Sequence, residues 1–513
     1  MVNRVKTGSV TGLKAQEVLV ETDIINSLPS MSIVGLPDVA VNEAKDRVKS
    51  AIKNSGYTFP SKKIVVNLAP ADLKKNGTGF DLPIAIGILT EEEVLNSEQT
   101  QGYAFIGELA LDGLIRPVTG VLPIVLGLKE QGIKNVIVPL NNAKEAALIE
   151  DVNIYGAEHL TDVVNHFGEN KISPTKVNAR EYLINKSQQD YSFDFKDVKG
   201  QQKAKKALEI VAAGGHNVLM TGSPGSGKTL MAKCFPSILP PLELEEALEL
   251  TKIYSVSALL PTDEPLVTKR PFRAVHHSAS ANGIIGGGSN PKPGEITLAH
   301  RGVLFLDEMV EFPRQVLEVM RQPLEDGEIV ISRASHSVKY PAKFILLGAM
   351  NPCPCGYLGD KEKQCTCSDF QINRYISKLS GPLLDRIDLQ IDVPRLTPSE
   401  LLNTEPPKED SSAIRKRVIN ARKIQLKRYK NENILTNSEL TSKLIKKYCQ
   451  IDEPSKEMLK TAVVKYQLSG RKYDRILKIA RTIADLEGCE NIKQIHLMQA
   501  LQFRLNMAND NEC

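Results

Sequence analysis

The chain has 513 residues, of which 42% are hydrophobic and 25% charged, a composition that is typical of folded globular proteins and excludes a disordered chain. Its 65 Lys and Arg against 61 Asp and Glu give a net charge of only +4, so binding of a polyanion would require a local basic patch. The sequence has no apolar run of membrane-spanning length, an N-terminus without a secretory apolar region, and only eight cysteines, which together predict a cytoplasmic protein without a membrane partner.

The first part of the chain, residues 1–168, predicts an α/β domain of its own. The β-rich runs 17–24 and 63–70 are typical of strands. Between them, apolar residues recur at helical spacing over 38–55 and predict a helix with one buried stripe. That stripe consists of Val41, Ala44, Val48, Ala51 and Ile52. The dipeptide Asp112-Gly113 lies between two short apolar runs and predicts a tight hairpin.

A polar segment without sustained periodicity, residues 169–195, is interpreted as a linker to a second α/β domain at 196–395. In this second domain the buried β-like runs NVLMTG, GVLFLDE and FILLGAMNP are each followed by a loop. Such runs, alternating with helices, favour a parallel sheet covered on both faces. Residues 396–513 have helical periodicity almost throughout and predict an all-helical C-terminal domain.

A phosphate-binding loop is indicated between the first of these runs and the helix that follows it. The pattern G-x-x-x-x-G-K-[ST] is matched by Gly222, Ser223, Pro224, Gly225, Ser226, Gly227, Lys228 and Thr229. Glycines let backbone N–H groups curl around phosphate oxygens, and the helix N-terminus adds the positive end of its dipole. In such a loop Lys228 would reach the β- and γ-phosphates and Thr229 would ligate Mg²⁺. The strand–loop–helix context disfavours the alternative of a purely structural glycine-rich loop.

Polar residues at the ends of the next two buried runs predict a site for nucleotide hydrolysis. Asp307 and Glu308 end the run GVLFLDE, where Asp307 would hold the Mg²⁺ shell and Glu308 would orient and deprotonate the attacking water. Asn351 ends the third run, and its amide would sense the γ-phosphate or place the water. Two acids after an apolar run are by themselves equally consistent with a solvated strand end. Together with the phosphate loop they predict an ATP hydrolase.

Two arginines are candidates for stabilising charge on the transferred phosphoryl group. Arg386 follows a Gly-Pro turn next to a carboxylate, so it forms either a local ion pair or, as in ring-forming ATPases, a contact with the neighbouring subunit's site. Arg471 opens a helix of the C-terminal segment and is expected to read phosphate within its own subunit. Arg475, one turn later, competes with Arg471 for that role.

These motifs resemble the AAA+ superfamily and, more narrowly, the magnesium-chelatase-like ATPases of the ComM/YifB competence-protein family. The resemblance covers essentially the whole chain. Besides the phosphate loop, it rests on six segments: 35–52 (GLPDVAVNEAKDRVKSAI), 67–89 (NLAPADLKKNGTGFDLPIAIGIL), 272–308, 321–327 (RQPLEDG), 351–357 (NPCPCGY) and 380–389 (SGPLLDRIDL).

The resemblance implies an AAA+ P-loop core of parallel sheet and helices, a C-terminal helical lid, and a homohexameric ring with ATP held between subunits. It assigns Arg386 to the trans-acting finger and Arg471 to the second sensor. Competence members of the family carry out ATP-driven helicase and branch-migration work on DNA during recombination of incoming strands. ATP and Mg²⁺ are thus the implied cofactors, and branched or single-stranded DNA is the implied partner.

The N-terminal domain resembles the S5-like proteolytic domain of Lon, in the version found in ChlI subunits, but it lacks both catalytic groups. Lon-type hydrolysis needs a serine nucleophile activated by a lysine. When the segments 75–81 and 116–139 are compared with the Lon segments that carry these groups, Gly79 stands at the serine position and Leu122 at the lysine position. We therefore expect no peptidase activity, and a structural or DNA-contacting role instead. The nearby Lys74 and Lys75 are interpreted as solvated surface.

Four cysteines with the spacing C-x-C-x₉-C-x-C predict a metal site: Cys353, Cys355, Cys365 and Cys367. Four thiolates arriving in two pairs suit tetrahedral Zn²⁺, and Gly356 permits the tight turn of a metal knuckle. A single residue inside each pair is tighter than the usual spacing, so a redox pair or plain packing remains an alternative. Any zinc would be structural, because four cysteines leave no open coordination position.

A predicted hairpin is the first candidate for DNA contact. Residues 328–343 predict two strands around a polar turn, with Arg333, His336 and Lys339 at or near the tip. In ring helicases of the same clade a hairpin at this position projects into the pore and contacts phosphates. The alternative is an exposed hairpin whose charges are simply solvated.

A basic helix is the second candidate: residues 411–430 carry eight Lys and Arg and no acid on a helical pattern, so they form either a solvated face or a phosphate contact. Neither candidate offers base-edge readout, and we expect sequence-independent, salt-sensitive binding. His276-His277 precede the glycine-rich segment 282–294, which is interpreted as a mobile pore loop and not as a metal site.

The sequence as a whole predicts a hexameric, ATP-driven DNA translocase. One alternative is a metal-chelatase motor or protein remodeller. Chelatases, however, work with a partner that carries a metal-binding adhesion domain, for which the sequence shows no counterpart. Another alternative is a DNA-binding scaffold in which ATP only controls assembly.

Overall fold

The computed structural model describes residues 3–75, 77–187, 191–288, 291–332, 337–398, 400 and 409–505. The chain divides into two compact units, each with its own hydrophobic core. The first unit comprises residues 1–188 and 243–268, and the second comprises residues 189–242 and 269–513. Among the described residues, none of the helices combines the length and the apolar character needed to cross a membrane.

Nine strands and seven helices are described up to residue 187. The strands are β1 (Asn3–Thr11), β2 (Lys14–Ile25), β3 (Ser30–Val34), β4 (Lys63–Ala69), β5 (Tyr103–Phe105), β6 (Glu108–Leu109), β7 (Ile115–Arg116), β8 (Asn135–Pro139) and β9 (Asn153–Ala157). The helices are α1 (Val39–Asn54), α2 (Asp81–Glu91), α3 (Ser97–Thr100), α4 (Val121–Glu130), α5 (Leu140–Ala146), α6 (Leu160–His166) and α7 (Ala179–Ser187).

A further nine strands and fourteen helices are described from residue 191 onward. The strands are β10 (Val218–Thr221), β11 (Phe272–Val275), β12 (Gly286–Gly287), β13 (Lys292–Pro293), β14 (Val303–Leu306), β15 (Glu328–Ser332), β16 (Ser337–Pro341), β17 (Ile345–Met350) and β18 (Leu389–Asp392). The helices are α8 (Gln202–Gly214), α9 (Lys228–Cys234), α10 (Leu244–Val256), α11 (Ala281–Ile285), α12 (Glu295–Leu298), α13 (Arg314–Val319), α14 (Arg321–Asp326), α15 (Asp369–Ile376), α16 (Gly381–Leu384), α17 (Ser411–Arg428), α18 (Ser442–Tyr448), α19 (Glu453–Lys465), α20 (Gly470–Leu486) and α21 (Gln494–Leu505). Four 3-10 turns lie between them, at Phe195–Asp197, Phe235–Ile238, Met309–Glu311 and Asn437–Glu439.

The first unit is built on a mixed seven-stranded sheet in the order β3-β4-β2-β1-β5-β8-β9. The antiparallel pairs are β1 with β2 and β2 with β4, and the remaining neighbours run parallel. Helix α1 begins where the carboxylate of Asp38 accepts the N–H of Val41 at 2.8 Å, and its buried face is the predicted apolar stripe. The predicted hairpin is also present, as the antiparallel pair β6 and β7 with Gly113 at φ +94°.

Helix α10 belongs to the first unit although it lies within the sequence of the predicted ATPase core. The Ser255 hydroxyl donates to the buried carboxylate of Glu145 at 2.5 Å, and the Gly120 N–H donates to the Ser255 carbonyl at 3.2 Å. The N–H of Leu122 donates to the same carboxylate at 3.1 Å. These bonds anchor the inserted helix to the start of α4.

The positions of the missing protease groups are filled by apolar contacts. Leu122 is fully buried, and the atoms nearest to a Cβ placed on Gly79 would be methyl carbons of Ile106 and Val118, at 3.8 and 3.9 Å. The expectation that Lys75 is solvated surface is wrong, because this residue is completely buried. Its backbone pairs with the segment 36–38, and its ammonium group donates to the carbonyl of Pro70.

The second unit contains an all-parallel sheet in the order β11-β14-β17-β10-β18. The predicted α/β class with a parallel sheet is therefore confirmed. The three runs singled out in the sequence are neighbouring strands β14, β17 and β10, so their carboxyl ends meet at one edge. The C-terminal helices share the same hydrophobic core, where Ile479 and Ile483 of α20 lie in one cluster with Leu347 and Leu389 of the sheet.

Candidate active site

The phosphate loop connects the end of β10 to the start of α9. Gly225 and Gly227 adopt φ values of +77° and +94°, a left-handed backbone that a residue with a Cβ adopts only under strain. The ammonium group of Lys228 lies inside the loop and donates to the carbonyl oxygens of Gly222 at 2.6 Å and Ser223 at 3.0 Å. Burial lowers the pKa of Lys228, and the nearby carboxylates oppose that shift. A buried cation whose described hydrogen-bond acceptors are all uncharged oxygens suits an incoming polyanion.

The ends of β14 and β17 bring the other predicted groups to this loop. The Thr229 hydroxyl donates to the Asp307 carboxylate at 2.8 Å, and the Lys228 ammonium lies 3.4 Å from the Asn351 side-chain oxygen. A hydroxyl and a carboxylate side by side are oxygen ligands of the kind that Mg²⁺ prefers. The donor set therefore fits a magnesium nucleotide, with Thr229 and Asp307 as the protein ligands.

Glu308 projects from a strained backbone at this edge. Its φ and ψ are +50° and +47°, and its N–H donates to the carboxylate of Asp307 at 3.0 Å. The side chain is about half exposed, and its Oε2 lies 3.3 Å from Nδ1 of His277. No role at the nucleotide site was expected of His277 from the sequence. The available signal was the position of His277 just after β11, which pairs with β14 and therefore ends at the same edge.

The described contacts of the Arg386 side chain are with residues outside the phosphate loop. Arg386 forms an ion pair with Glu325 and donates from Nη1 to the carbonyl of Pro382 at 2.8 Å. Burial and the neighbouring charges of Arg321, Arg471 and Arg475 lower the pKa of Arg386. It lines a cavity of 630 Å³ together with Glu318, Arg321, Gln322, Glu325 and Ser332.

The two C-terminal arginines differ in their contacts. Arg475 donates from Nη1 to the Asp388 carboxylate at 2.8 Å, and that carboxylate also accepts the N–H of Asn217 at 3.0 Å. Although burial acts in the opposite sense, the charge of Arg475 holds the pKa of Asp388 well below its usual range. Arg471 is exposed and forms no hydrogen bond or ion pair with the part of the chain that the structure describes. Its charge acts on Arg386, whereas the charges that act on Lys228 are those of Asp307 and Glu308.

Comparison with known proteins assigns this architecture to a family. The model described as magnesium chelatase, subunit ChlI, matches residues 194–401, a second model of that subunit matches 20–142, and a model of its C-terminal region matches 408–504. The chain is 45% identical over 497 residues to competence protein ComM of Haemophilus influenzae, a match that covers 96% of this chain and 95% of ComM. The chain belongs to the ComM/YifB family of magnesium-chelatase-like AAA+ proteins.

Further relatives show how far the likeness extends. YifB of Salmonella typhimurium is 43% identical over 501 residues, which cover 98% of this chain and 96% of YifB. The magnesium-chelatase subunit ChlI of Euglena gracilis is 24% identical over 277 residues, covering 49% of this chain and 76% of that subunit. The resemblance stated from the motifs is thus confirmed. Membership of this family implies the use of a nucleotide and Mg²⁺, which agrees with the donors gathered around Lys228.

The predicted hairpin of this ComM/YifB protein is present, but only its base is described. Strands β15 and β16 pair antiparallel, with Val330 opposite Lys339. Lys339 is exposed and forms an ion pair with Glu328 at 2.8 Å. Arg333 and His336 lie outside the described residues, so their role stays a prediction.

The basic helix α17 uses its arginines inside the second unit. Arg415 donates to the carbonyl of Ser237 at 2.6 Å, and Arg422 donates to the carbonyl of Ala212 at 3.0 Å. Arg417 forms ion pairs with two glutamates, and Arg428 forms one with Asp485 at 2.5 Å. These contacts brace the helix against its neighbours and account for four of the seven Lys and Arg residues of α17 without a DNA phosphate.

We expect Arg475→Ala to destabilise this protein strongly, whereas Arg471→Ala should not. Removing Arg475 takes away the guanidinium that pairs with the buried Asp388 carboxylate, a change that costs about 3–5 kcal/mol in the free energy of unfolding. Arg471 is exposed, so its removal should change that free energy by less than about 0.5 kcal/mol. Urea denaturation followed by circular dichroism measures both. Equal effects of the two substitutions would contradict the assignment of Arg475 to a structural ion pair.

Proposed function

We propose that this protein is an ATP-hydrolysing motor that acts on DNA as a homohexamer, in recombination or natural transformation. The observation that carries the hydrolysis is the meeting of Lys228, the Thr229–Asp307 pair and Glu308 at one edge of the parallel sheet. The proposal that the motor acts on DNA is supported by the near full-length likeness to a protein named competence protein ComM. It is also supported by the predicted pore hairpin.

The residues divide the work of hydrolysis. The Lys228 ammonium would exchange the Gly222 and Ser223 carbonyls for phosphate oxygens, and Thr229 and Asp307 would hold Mg²⁺. When bound, Mg²⁺ neutralises charge on the β- and γ-phosphates. Glu308, exposed and next to His277, is placed to accept the proton of an attacking water. Asn351, within reach of Lys228, would report the state of the γ-phosphate.

Arg386 is proposed to complete the site of the neighbouring subunit. Its bonds are to Glu325 and Pro382 and not to its own phosphate loop, and it lines an open cavity. A guanidinium supplied from the adjacent subunit would stabilise charge on the transferred phosphoryl group. Arg471, whose charge contributes to lowering the pKa of Arg386, stays the candidate for reading phosphate within its own subunit. The ring is what makes each site complete.

The first unit is proposed to have no peptidase activity. Gly79 provides no nucleophile, and Leu122 fills the lysine position as a fully buried apolar side chain. Covalent acyl transfer needs a nucleophile next to its base. We infer that this unit serves instead as a docking platform for α10, the helix that the ATPase sequence inserts into it.

The proposal is tested by measuring ATP hydrolysis with and without forked, four-way, linear and single-stranded DNA, together with strand displacement on the forked and four-way substrates. We expect DNA to stimulate hydrolysis, ATP-dependent products from the branched substrates, and affinity that falls steeply with salt. The Lys228→Ala variant, which is expected not to bind nucleotide, serves as the negative control. An assembled hexamer that hydrolyses ATP but yields no product and is indifferent to DNA would refute the DNA motor.

The second candidate function is that of a chelatase-like or protein-remodelling ATPase that does not act on DNA. It is favoured by the match of magnesium-chelatase models along the chain and by the partial likeness to the Euglena ChlI subunit. Hydrolysis stimulated by a protein partner and not by any of the DNA substrates would support it.

A further inference from the structure

The four cysteines of the segment 353–367 converge on one point. Their sulfur atoms all lie within 4.8 Å of one another, although two of them are separated by nine residues from the other two. Cys353 Sγ is 3.3 Å from Cys355 Sγ and 3.7 Å from Cys365 Sγ, and none of these residues is in a disulfide. Tetrahedral zinc with Zn–S bonds of about 2.3 Å would space its sulfurs about 3.8 Å apart. The sulfur–sulfur distances of 3.3 to 3.7 Å among Cys353, Cys355 and Cys365 are already close to that spacing.

Backbone N–H groups are directed at these sulfurs. The N–H of Cys355 donates to Cys367 Sγ at 3.4 Å, and the backbone at Thr366 and Tyr357 is hydrogen-bonded to the Cys355 side chain. Sulfur accepts such bonds well as a thiolate and poorly as a thiol, so the arrangement suits four metal-bound thiolates. Gly356, at φ +84°, makes the turn between the second cysteine and the chain that follows.

The same segment lies against the phosphate loop. A Cβ on Gly356 would stand 2.7 Å from Cδ of Pro224, so the Pro224 ring packs against Gly356 more closely than a residue with a side chain would allow. Asp360, whose side chain is only 2% exposed, accepts the N–H groups of Glu362 and Lys363 at 2.9 and 3.1 Å and contacts the side chain of Ser223. Two contacts, both from residues between Cys355 and Cys365, therefore lie against Ser223 and Pro224 of the phosphate loop.

We propose that Cys353, Cys355, Cys365 and Cys367 bind one structural Zn²⁺, and that this metal holds the segment 353–367 against Ser223 and Pro224 so that the phosphate loop keeps its binding shape. The segment has no regular helix or strand of its own, and the sulfur atoms of its two cysteine pairs meet at one point. Zinc replaces those weak sulfur contacts by four coordinate bonds. Loss of the metal frees the contacts to the loop and weakens nucleotide binding.

The first test is the zinc content of the purified full-length protein. We expect about one zinc per chain, lost in the double variant Cys365→Ser/Cys367→Ser and kept in the control Cys449→Ser, whose thiol belongs to neither group of possible metal ligands among the described residues. Replacement of the zinc by Co²⁺ should give the sulfur-to-metal charge-transfer absorption of thiolate ligands. A zinc-free protein, whether with free thiols or with a disulfide between cysteines of the cluster, overturns the inference.

The second test measures binding of a fluorescent ATP analogue before and after a chelator removes the zinc, with circular dichroism to show that the fold persists. We expect affinity to fall at least about tenfold and to return when Zn²⁺ is added back. Unchanged affinity after zinc removal overturns the coupling. The expected effect of zinc on ATP affinity rests on the proposed nucleotide site, but the zinc site and the nucleotide site can each be refuted without the other. A protein that never binds ATP refutes the site, whereas zinc content is measured without nucleotide.

Discussion

Replacing Glu308 by glutamine is expected to abolish ATP turnover while leaving ATP binding intact. Glutamine keeps the length of the side chain and an oxygen that faces His277, but it cannot accept the proton of the attacking water. The Lys228 contacts and the Thr229–Asp307 pair do not depend on that carboxylate. Loss of a general base lowers the rate by about 10²–10⁴-fold. Steady-state hydrolysis and binding of a fluorescent ATP analogue, measured on the same preparation, separate the two effects.

A matched control for this substitution lies on the adjacent 3-10 turn. Glu311 has the same chemistry but pairs with Lys378 on the surface at 3.0 Å, so Glu311→Gln should hydrolyse ATP at nearly the normal rate. Lys228→Ala provides the opposite contrast, because it removes the cation that the loop holds and should lose binding as well as turnover. If Glu308→Gln hydrolyses ATP as fast as the Glu311→Gln control, Glu308 is not the base.

Much of the nucleotide site follows from short-range signals in the sequence. The buried runs before Gly222, Asp307 and Asn351 have the composition of interior parallel strands, and parallel strands bring their carboxyl ends to one edge. Glycines at 225 and 227 indicate the left-handed backbone that the structure has. The buried stripe of α1 is equally local, because it depends only on helical spacing.

Other features depend on pairings between distant residues that no local pattern specifies. The Arg475–Asp388 ion pair joins groups 87 residues apart, and the bond between Ser255 and Glu145 joins groups 110 residues apart. Which arginines of α17 are engaged within the second unit could not be predicted for the same reason, since Arg415 and Arg422 find their acceptors in the 3-10 turn at 235–238 and on α8. The contact between His277 and Glu308 could be predicted only by knowing that β11 is the strand that lies beside β14.

Replacing Arg386 by alanine is expected to reduce turnover as severely as the loss of Glu308, but through the neighbouring subunit. An arginine that stabilises the transferred phosphoryl group contributes about 10³–10⁵-fold to the rate. Because Arg386 bonds to Glu325 and Pro382 and not to its own phosphate loop, ATP binding to the variant should be retained. Glu325→Gln is the matched control, since it removes the partner of Arg386 while keeping the guanidinium. It should retain turnover.

Mixing two inactive variants distinguishes action on the neighbour from action within one subunit. Glu308→Gln has an intact Arg386, and Arg386→Ala has an intact Glu308. In a ring the contact is head-to-tail, so about a quarter of the interfaces in an equal random mixture pair an intact Glu308 with an intact Arg386 from next door. Hydrolysis should therefore reappear in the mixture. Size-exclusion chromatography shows whether rings of both variants assemble. If Arg386 served its own subunit, every site in the mixture would lack one group, and no activity would return.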